Sequence, residues 1–225
     1  MEFDPKSCID CNGILMPKDQ DLMRRPVRGT LRRAVYERDM AASALALVQN
    51  GDRVLELGSG LGFVTAQLAR TYDLEYLRCY EAHPRAFAYA RTMLAGNGLG
   101  HVDLRHGVLG KRKGDTAFLC RHPFLRSSLL EISEEHAETV RVPVVNGNSV
   151  FRDARPNVLI CDIEGSEADV LDAVNLSRLD RVLINLNHEQ LGNGGLARVF
   201  KATLRHGLVY DPARSTGPRV AFFRP

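Results

Sequence analysis

The sequence predicts an α/β protein: a doubly wound, mostly parallel sheet, interrupted by an inserted hairpin and loop and ending in an antiparallel hairpin. Three observations predict it. Residues 53–69 run from a short apolar stretch through a glycine-rich turn into a helical pattern, which is the strand-turn-helix opening of a parallel sheet. Strand and helix patterns then alternate, which implies right-handed crossovers and parallel pairing. At the far end, residues 208–210 and 219–223 read as two short strands around a loop that contains Pro218 and Gly217.

The first element reads Arg53-Val54-Leu55-Glu56-Leu57-Gly58-Ser59-Gly60-Leu61-Gly62, followed by Phe63-Val64-Thr65-Ala66. Glycines at alternate positions between a buried strand and a helix let backbone approach a nucleotide closely, so the turn is a cofactor site. A dinucleotide fingerprint needs its third glycine three positions after the second. That position here is Phe63, and Gly62 comes one earlier. A turn of this spacing after a carboxylate suits S-adenosylmethionine better than NAD: Glu56 would repel a pyrophosphate but faces the cationic end of a sulfonium amino acid.

The second strand, residues 77–81, ends at Glu81 before Ala82-His83-Pro84 and a helix that runs towards Asn97. A carboxylate at this place in a nucleotide-binding sheet accepts hydrogen bonds from ribose hydroxyls. A third strand, 102–106, leads into Gly107-Val108-Leu109, whose backbone lies where an adenine ring stacks. The expected cofactor contacts are therefore Glu56, Gly58, Ser59, Gly60, Gly62, Glu81, Ala82, Val108 and Asp162.

Residues 111–145 break the alternation. Segments 115–120 and 138–145 are strand-like around the polar stretch 121–136, and no crossover helix stands out. This is the inserted hairpin, placed over the cleft where a substrate is selected. Residues 157–162 form a fourth core strand, 166–174 a helix, 180–186 a fifth strand, and 196–206 a last helix before the closing hairpin.

At the carboxyl end of the fourth strand stands Asp162-Ile163-Glu164-Gly165-Ser166-Glu167, at the edge where open α/β sheets bind ligands. Asp162 and Glu164 alternate along extended backbone, and Gly165 permits a sharp turn into a helix that Ser166 caps. Asn187-His188-Glu189 at the end of the fifth strand adds an imidazole to the same rim. With an ordinary pKa of about 6.5, a neutral His188 is the expected general base, and Asp162 or Glu164 orients it or takes the proton directly. Mg²⁺ held by Asp162, Glu164 and Glu189 is the rival route to an alkoxide and is not favoured.

With these residues in view, the chain resembles the FkbM-type methyltransferases of the S-adenosylmethionine-dependent Rossmann-like superfamily. The resemblance covers residues 36–211, through Tyr36-Glu37, Gly51-Asp52, the glycine turn, Tyr80-Glu81-Ala82-His83-Pro84, and above all Asp162-Ile163-Glu164-Gly165-Ser166-Glu167-Ala168 with Val170-Leu171 following. It implies a Rossmann-like methyltransferase fold and methylation of an oxygen nucleophile, commonly a hydroxyl of a sugar or another small metabolite. The chain departs from the family at Leu57 and Ser59, and at Asn187-His188-Glu189, where a glutamate more often precedes a histidine.

Length and composition fit one domain over residues 36–225 preceded by an arm, 1–35: 225 residues, 44% hydrophobic and 25% charged, suit an ordinary globular α/β protein. No apolar run is long enough to span a bilayer, so neither a membrane nor a secretory route is expected, and a cytoplasmic location follows. Five cysteines, with Cys79 and Cys161 inside buried strands, point to reduced thiols. Cys8 and Cys11 are half of a zinc site that Cys120 and His122 complete only weakly. Arg24, Arg25, Arg28, Arg32, Arg33 and Arg38 crowd the segment before the first helix, but a net charge of +3 and no interleaved aromatics favour a solvated helix face and arm over nucleic-acid binding. The arm is then a substrate lid or an oligomer contact, as in a homodimer. The outstanding alternatives are a nucleic-acid-binding module on this fold and an NAD-dependent oxidoreductase.

Overall fold

A computed structural model describes residues 3–120 and 138–225. The chain opens with a single turn of 3₁₀ helix at Pro5–Ser7 and a hairpin of β1 (Ile9–Cys11) and β2 (Ile14–Met16). Asn12 and Gly13, with φ of 50° and 79°, form its two-residue turn. Both central residues of such a turn need positive φ, and Asn-Gly is the pair that tolerates it. Helix α1 (Arg25–Arg32) turns Val27 and Leu31 inward and leaves Arg24, Arg25, Arg32 and Arg33 exposed, the pattern of an amphipathic surface helix. Helix α2 (Arg38–Leu47) follows.

The core alternates as expected: β3 (Arg53–Leu57), α3 (Phe63–Thr71), β4 (Tyr76–Glu81), α4 (Pro84–Gly96) and β5 (Asp103–His106). Next come β6 (Val108–Gly110), β7 (Gly114–Cys120), β8 (Glu138–Asn146) and α5 (Gly147–Ala154). The chain returns to the core through β9 (Val158–Cys161), α6 (Glu167–Ala173), β10 (Arg181–Asn185), α7 (His188–Arg205), β11 (Val209–Thr216) and β12 (Arg219–Phe223). The main sheet has seven strands in the order β11-β12-β10-β9-β3-β4-β5. Strands β3, β4, β5, β9 and β10 are parallel, and β12 runs antiparallel to both β10 and β11. The winding reverses between β3 and β9, which makes a crevice at their carboxyl ends.

Alternate residues of each strand feed opposite layers. Val54, Cys79, Val158, Ile160 and Leu183 pack with the N-terminal hairpin and α1 to α4. Leu55, Leu57, Leu159, Cys161, Val182 and Ile184 pack with α5, α6 and α7. The stretch read as an arm is thus built into the first layer. Asn97 at the end of α4 accepts from the Leu15 amide at 2.9 Å and donates to the Leu15 carbonyl at 2.9 Å, while the Tyr89 hydroxyl donates to the Pro17 carbonyl at 2.8 Å.

The insertion pairs β7 with β8 antiparallel, as the hairpin reading expects, and adds β6 parallel to β8 in a separate three-stranded sheet. The polar stretch 121–136, with His122, lies outside the described residues. Helix α5 was not foreseen; Asn146 caps it by accepting from the Ser149 amide at 2.8 Å. Helix α7 begins eight residues before the expected helix and breaks at Gly192, whose φ of 59° and ψ of 179° fall in a region reserved for glycine. Among the described residues no helix is long and apolar enough to cross a membrane.

Candidate active site

The crevice between the β3 and β9 ends opens into a cavity lined from both sides of β3. Gly58, at the end of β3, is pressed against its neighbour: a Cβ there would fall 1.8 Å from the Asp162 carbonyl oxygen. Asp162 in turn donates its amide to the Leu57 carbonyl at 2.9 Å. Gly60 faces the cavity. Gly62, the N-cap of α3, is a packing glycine, since a Cβ on it would meet Met93 at 2.9 Å and Ala90 at 3.2 Å. Gly58 and Gly60 line the cavity; Gly62 and the buried Ser59 do not.

Glu81 ends β4 with its carboxylate spanning two backbone donors, the Gly60 amide at 2.7 Å and the His83 amide at 2.7 Å. Burial nonetheless pushes its pKa up to about 7, these backbone bonds opposing the rise. Each carboxylate oxygen keeps a lone pair beyond the bond it accepts, so the group can still take hydroxyl donors. His83 caps α4 by accepting the Arg85 amide at 3.2 Å, and its ring meets Phe118 edge to face. Ala82, Val108, Leu109 and Phe118 supply the apolar wall on this side.

On the other side of β3, Asp162 and Glu164 both line the cavity. Burial raises the Asp162 pKa to about 7, with Glu164, Glu167 and Glu56 adding to the rise while the bond from the Asn185 amide group at 3.1 Å opposes it. Glu164 has a left-handed backbone, φ 51°, a strained state for a residue with a side chain. Its carboxylate accepts from the Gln190 amide group at 3.0 Å and the Asn187 amide group at 3.4 Å. The loop is held by Glu167, not by the expected Ser166 cap. The Glu167 carboxylate is fully buried and accepts from the Ile163 amide at 3.1 Å and the Gly165 amide at 2.9 Å. Ser166 makes no side-chain capping bond. The acidic segment therefore divides into two groups that line the cavity and one that shapes the loop.

Besides Ser59 and Gly62, three further expected site residues stand elsewhere. Glu56 is buried on the α3 side of β3, where it accepts from the Thr65 hydroxyl at 2.5 Å and the Cys79 thiol at 3.2 Å. Its neighbour Leu57 takes the cavity face, because successive side chains of a strand point to opposite sides. His188 is exposed at the start of α7, in contact with Asn193 at 3.0 Å, and is not among the cavity residues. Glu189 is exposed as well. Among the described residues no group of three His, Cys, Asp or Glu side chains converges to hold a metal ion.

One carboxylate that the motif reading passed over reaches the cavity. Glu37 comes from the turn between α1 and α2 and lines the wall beside the glycine turn, with its Oε1 3.8 Å from where a Cβ on Gly60 would stand. Burial raises its pKa to about 8, reinforced by nearby Asp162, Glu56 and Glu81. Its strain was invisible in sequence, although Glu37 belongs to the Tyr36-Glu37 pair that carries the family resemblance. Among the described residues the cavity walls thus combine four carboxylates, from Glu37, Glu81, Asp162 and Glu164, with apolar surface, and no lysine or arginine lines it.

No family model matches the chain, and no curated protein matches it. Solved structures do. Precorrin-6y C5,15-methyltransferase from Geobacter metallireducens GS-15 aligns over 92% of this chain and 91% of its own, with a TM-score of 0.48 and 13% identity. Fibrillarin from Aeropyrum pernix, solved with natively bound S-adenosylmethionine, aligns over 82% of this chain and 73% of its own, with a TM-score of 0.44 and 13% identity. A protein of the NADB-Rossmann superfamily from Streptococcus agalactiae aligns over 81% of this chain with a TM-score of 0.48 and 14% identity, and this chain spans 65% of it. The structures the chain is similar to thus include a methyltransferase and a protein holding S-adenosylmethionine.

Proposed function

We propose that the chain is an S-adenosylmethionine-dependent methyltransferase of the FkbM type, acting on a hydroxyl of a small metabolite such as a sugar. The observation that carries this reading is the Glu81 carboxylate at the end of β4, pinned by the Gly60 and His83 amides at the crevice edge, with Asp162 and Glu164 on the opposite side of β3. The first suits the ribose of an adenosine. The other two suit the reacting end. The fit is chemical as well as spatial. An adenine ring needs the apolar wall of Val108, Leu109 and Phe118, and a cofactor with net positive charge needs carboxylates without competing guanidinium groups. For the same reason a pyrophosphate is a poor occupant, which disfavours NAD.

When bound, S-adenosylmethionine supplies a methyl group on a positively charged sulfur. The chain supplies placement and a route for the acceptor's proton; alignment alone is worth several kcal/mol. Asp162 is the better base than the exposed His188, because a carboxyl held near neutral pKa accepts a proton at working pH without being too weak to do so. Glu164, fixed by Asn187 and Gln190, orients the acceptor from the neighbouring position. The mostly acidic walls favour a neutral or cationic acceptor over a phosphorylated one.

The test is a screen of hydroxyl-bearing metabolites with isotope-labelled methyl donor. Label recovered in a methyl ether, and lost in Asp162→Asn, supports the reading. Label found only on nitrogen, carbon or nucleic acid overturns the oxygen chemistry.

A further inference from the structure

We infer that Glu37 receives the α-ammonium group on the methionine half of the methyl donor, an assignment that rests on the cofactor reading above. The position comes first. Glu37 lies against the glycine turn, and among the described residues its Oε1 is the one side-chain atom within 4 Å of the space a Gly60 side chain would fill. Glu81 is committed to the Gly60 and His83 amides at the ribose end, Asp162 and Glu164 stand on the acceptor side of β3, and Glu56 points into the α3 layer. That leaves Glu37 as the carboxylate beside the turn.

The backbone supplies an independent observation. Glu37 adopts φ 44° and ψ 21°, left-handed for a residue with a Cβ, immediately before α2. The cost of this conformation is tolerated because it turns the side chain into the cavity, and outliers of this kind gather at ligand clamps. Glu164, the other acidic residue with positive φ among the described residues, also lines the cavity.

The chemistry selects the ammonium rather than the sulfonium. A carboxylate held among Glu81, Asp162 and apolar groups is stable only with a proton or a cation beside it. An ammonium group brings charge together with N–H donors that a carboxylate can accept, whereas a trialkyl sulfonium has no hydrogen to donate.

Calorimetric titration of the full chain with S-adenosylhomocysteine and with 5′-methylthioadenosine, which lacks the amino-acid end, tests this directly. Glu37→Gln is expected to weaken S-adenosylhomocysteine about 10- to 100-fold, the worth of one hydrogen bond to a charged group, and to leave 5′-methylthioadenosine within about threefold of wild type. Glu37→Gly, which suits the positive φ, is expected to show the same pattern, so that loss of the carboxylate is separated from loss of the fold. Unchanged S-adenosylhomocysteine affinity in both variants, or equal weakening of the two ligands in both, overturns the assignment. Wild-type protein that binds neither ligand overturns the cofactor reading itself and the assignment with it.

Discussion

Asp162 sits at the meeting point of three constraints: its carbonyl touches Gly58, its amide bonds Leu57, and its carboxyl is buried beside Glu164 with Asn185 as donor. If it is the base, turnover rises with pH through about 7 as the carboxyl loses its proton, because only the ionised form accepts the acceptor's hydrogen. Asp162→Asn removes that limb and is expected to lower kcat by about 10² to 10⁴. His188→Ala is expected to change kcat by less than about threefold, since the imidazole stands outside the cavity. Pre-steady-state and pH-rate measurements on the two variants check both statements, and a large loss in His188→Ala alone would return the base to the histidine. The same contrast marks what residue-level reading can reach. Glu81, Asp162 and Glu164 were legible because each lies at or just past the carboxyl end of a strand, and the ends of parallel strands meet at one edge. Glu56 and Glu37 were not, because which layer a strand residue faces, and whether a distant turn folds back over the site, are decided by packing.

The strands of the sheet were legible as short apolar runs bounded by glycine and polar residues, and their alternation with helices determined the topology. Elements without such a run were harder. The β1-β2 hairpin has three residues to a strand and gains its burial from α4 and α1, so only the Asn12-Gly13 turn signalled it. Helix α5 opens with Gly147 and Asn148, poor helix formers that hide a helix supported mainly by its cap and by Val150 and Phe151. At the amino ends of the strands, Asp52 ties three of them together. It accepts from the Gln49 amide at 2.7 Å, from Asn157 at 2.9 Å and from the Arg181 guanidinium at 2.7 Å, and is 4% exposed. That accounts for the Gly51-Asp52 part of the family resemblance as a structural tie rather than a ligand contact. Asp52→Ala leaves Arg181 without its carboxylate in a mostly buried site and is expected to cost about 2–4 kcal/mol in urea unfolding. A loss below about 0.5 kcal/mol would show that the tie carries no stability.

At the scale of the molecule, the cavity is a store of reluctant charge. The pKa values of Glu37, Glu81 and Asp162 are raised to about 8, 7 and 7, so between about pH 4, where the unfolded chain releases these protons, and pH 8 the folded state holds protons the unfolded state has lost. Stability contributed by these groups therefore falls as pH rises through that window. Asp103 works the other way: although partly buried, it is held at about 2 by bonds from Arg105, Tyr76 and Arg78, and its contribution is lost as pH falls from about 4 towards 2. Thermal melting of the ligand-free protein is expected to drop from pH 6 to pH 8.5, and saturating S-adenosylmethionine, by supplying positive charge, to flatten the decline. A melting temperature that climbs across the same range without ligand would mean that these carboxyls are not held protonated. The central claim, a cavity built for a cationic adenosyl cofactor and not for a dinucleotide, is met most directly by calorimetric titration of the wild-type chain with S-adenosylhomocysteine and with NAD. Micromolar binding of S-adenosylhomocysteine with no heat from NAD is the expected result; binding of NAD without S-adenosylhomocysteine would contradict it.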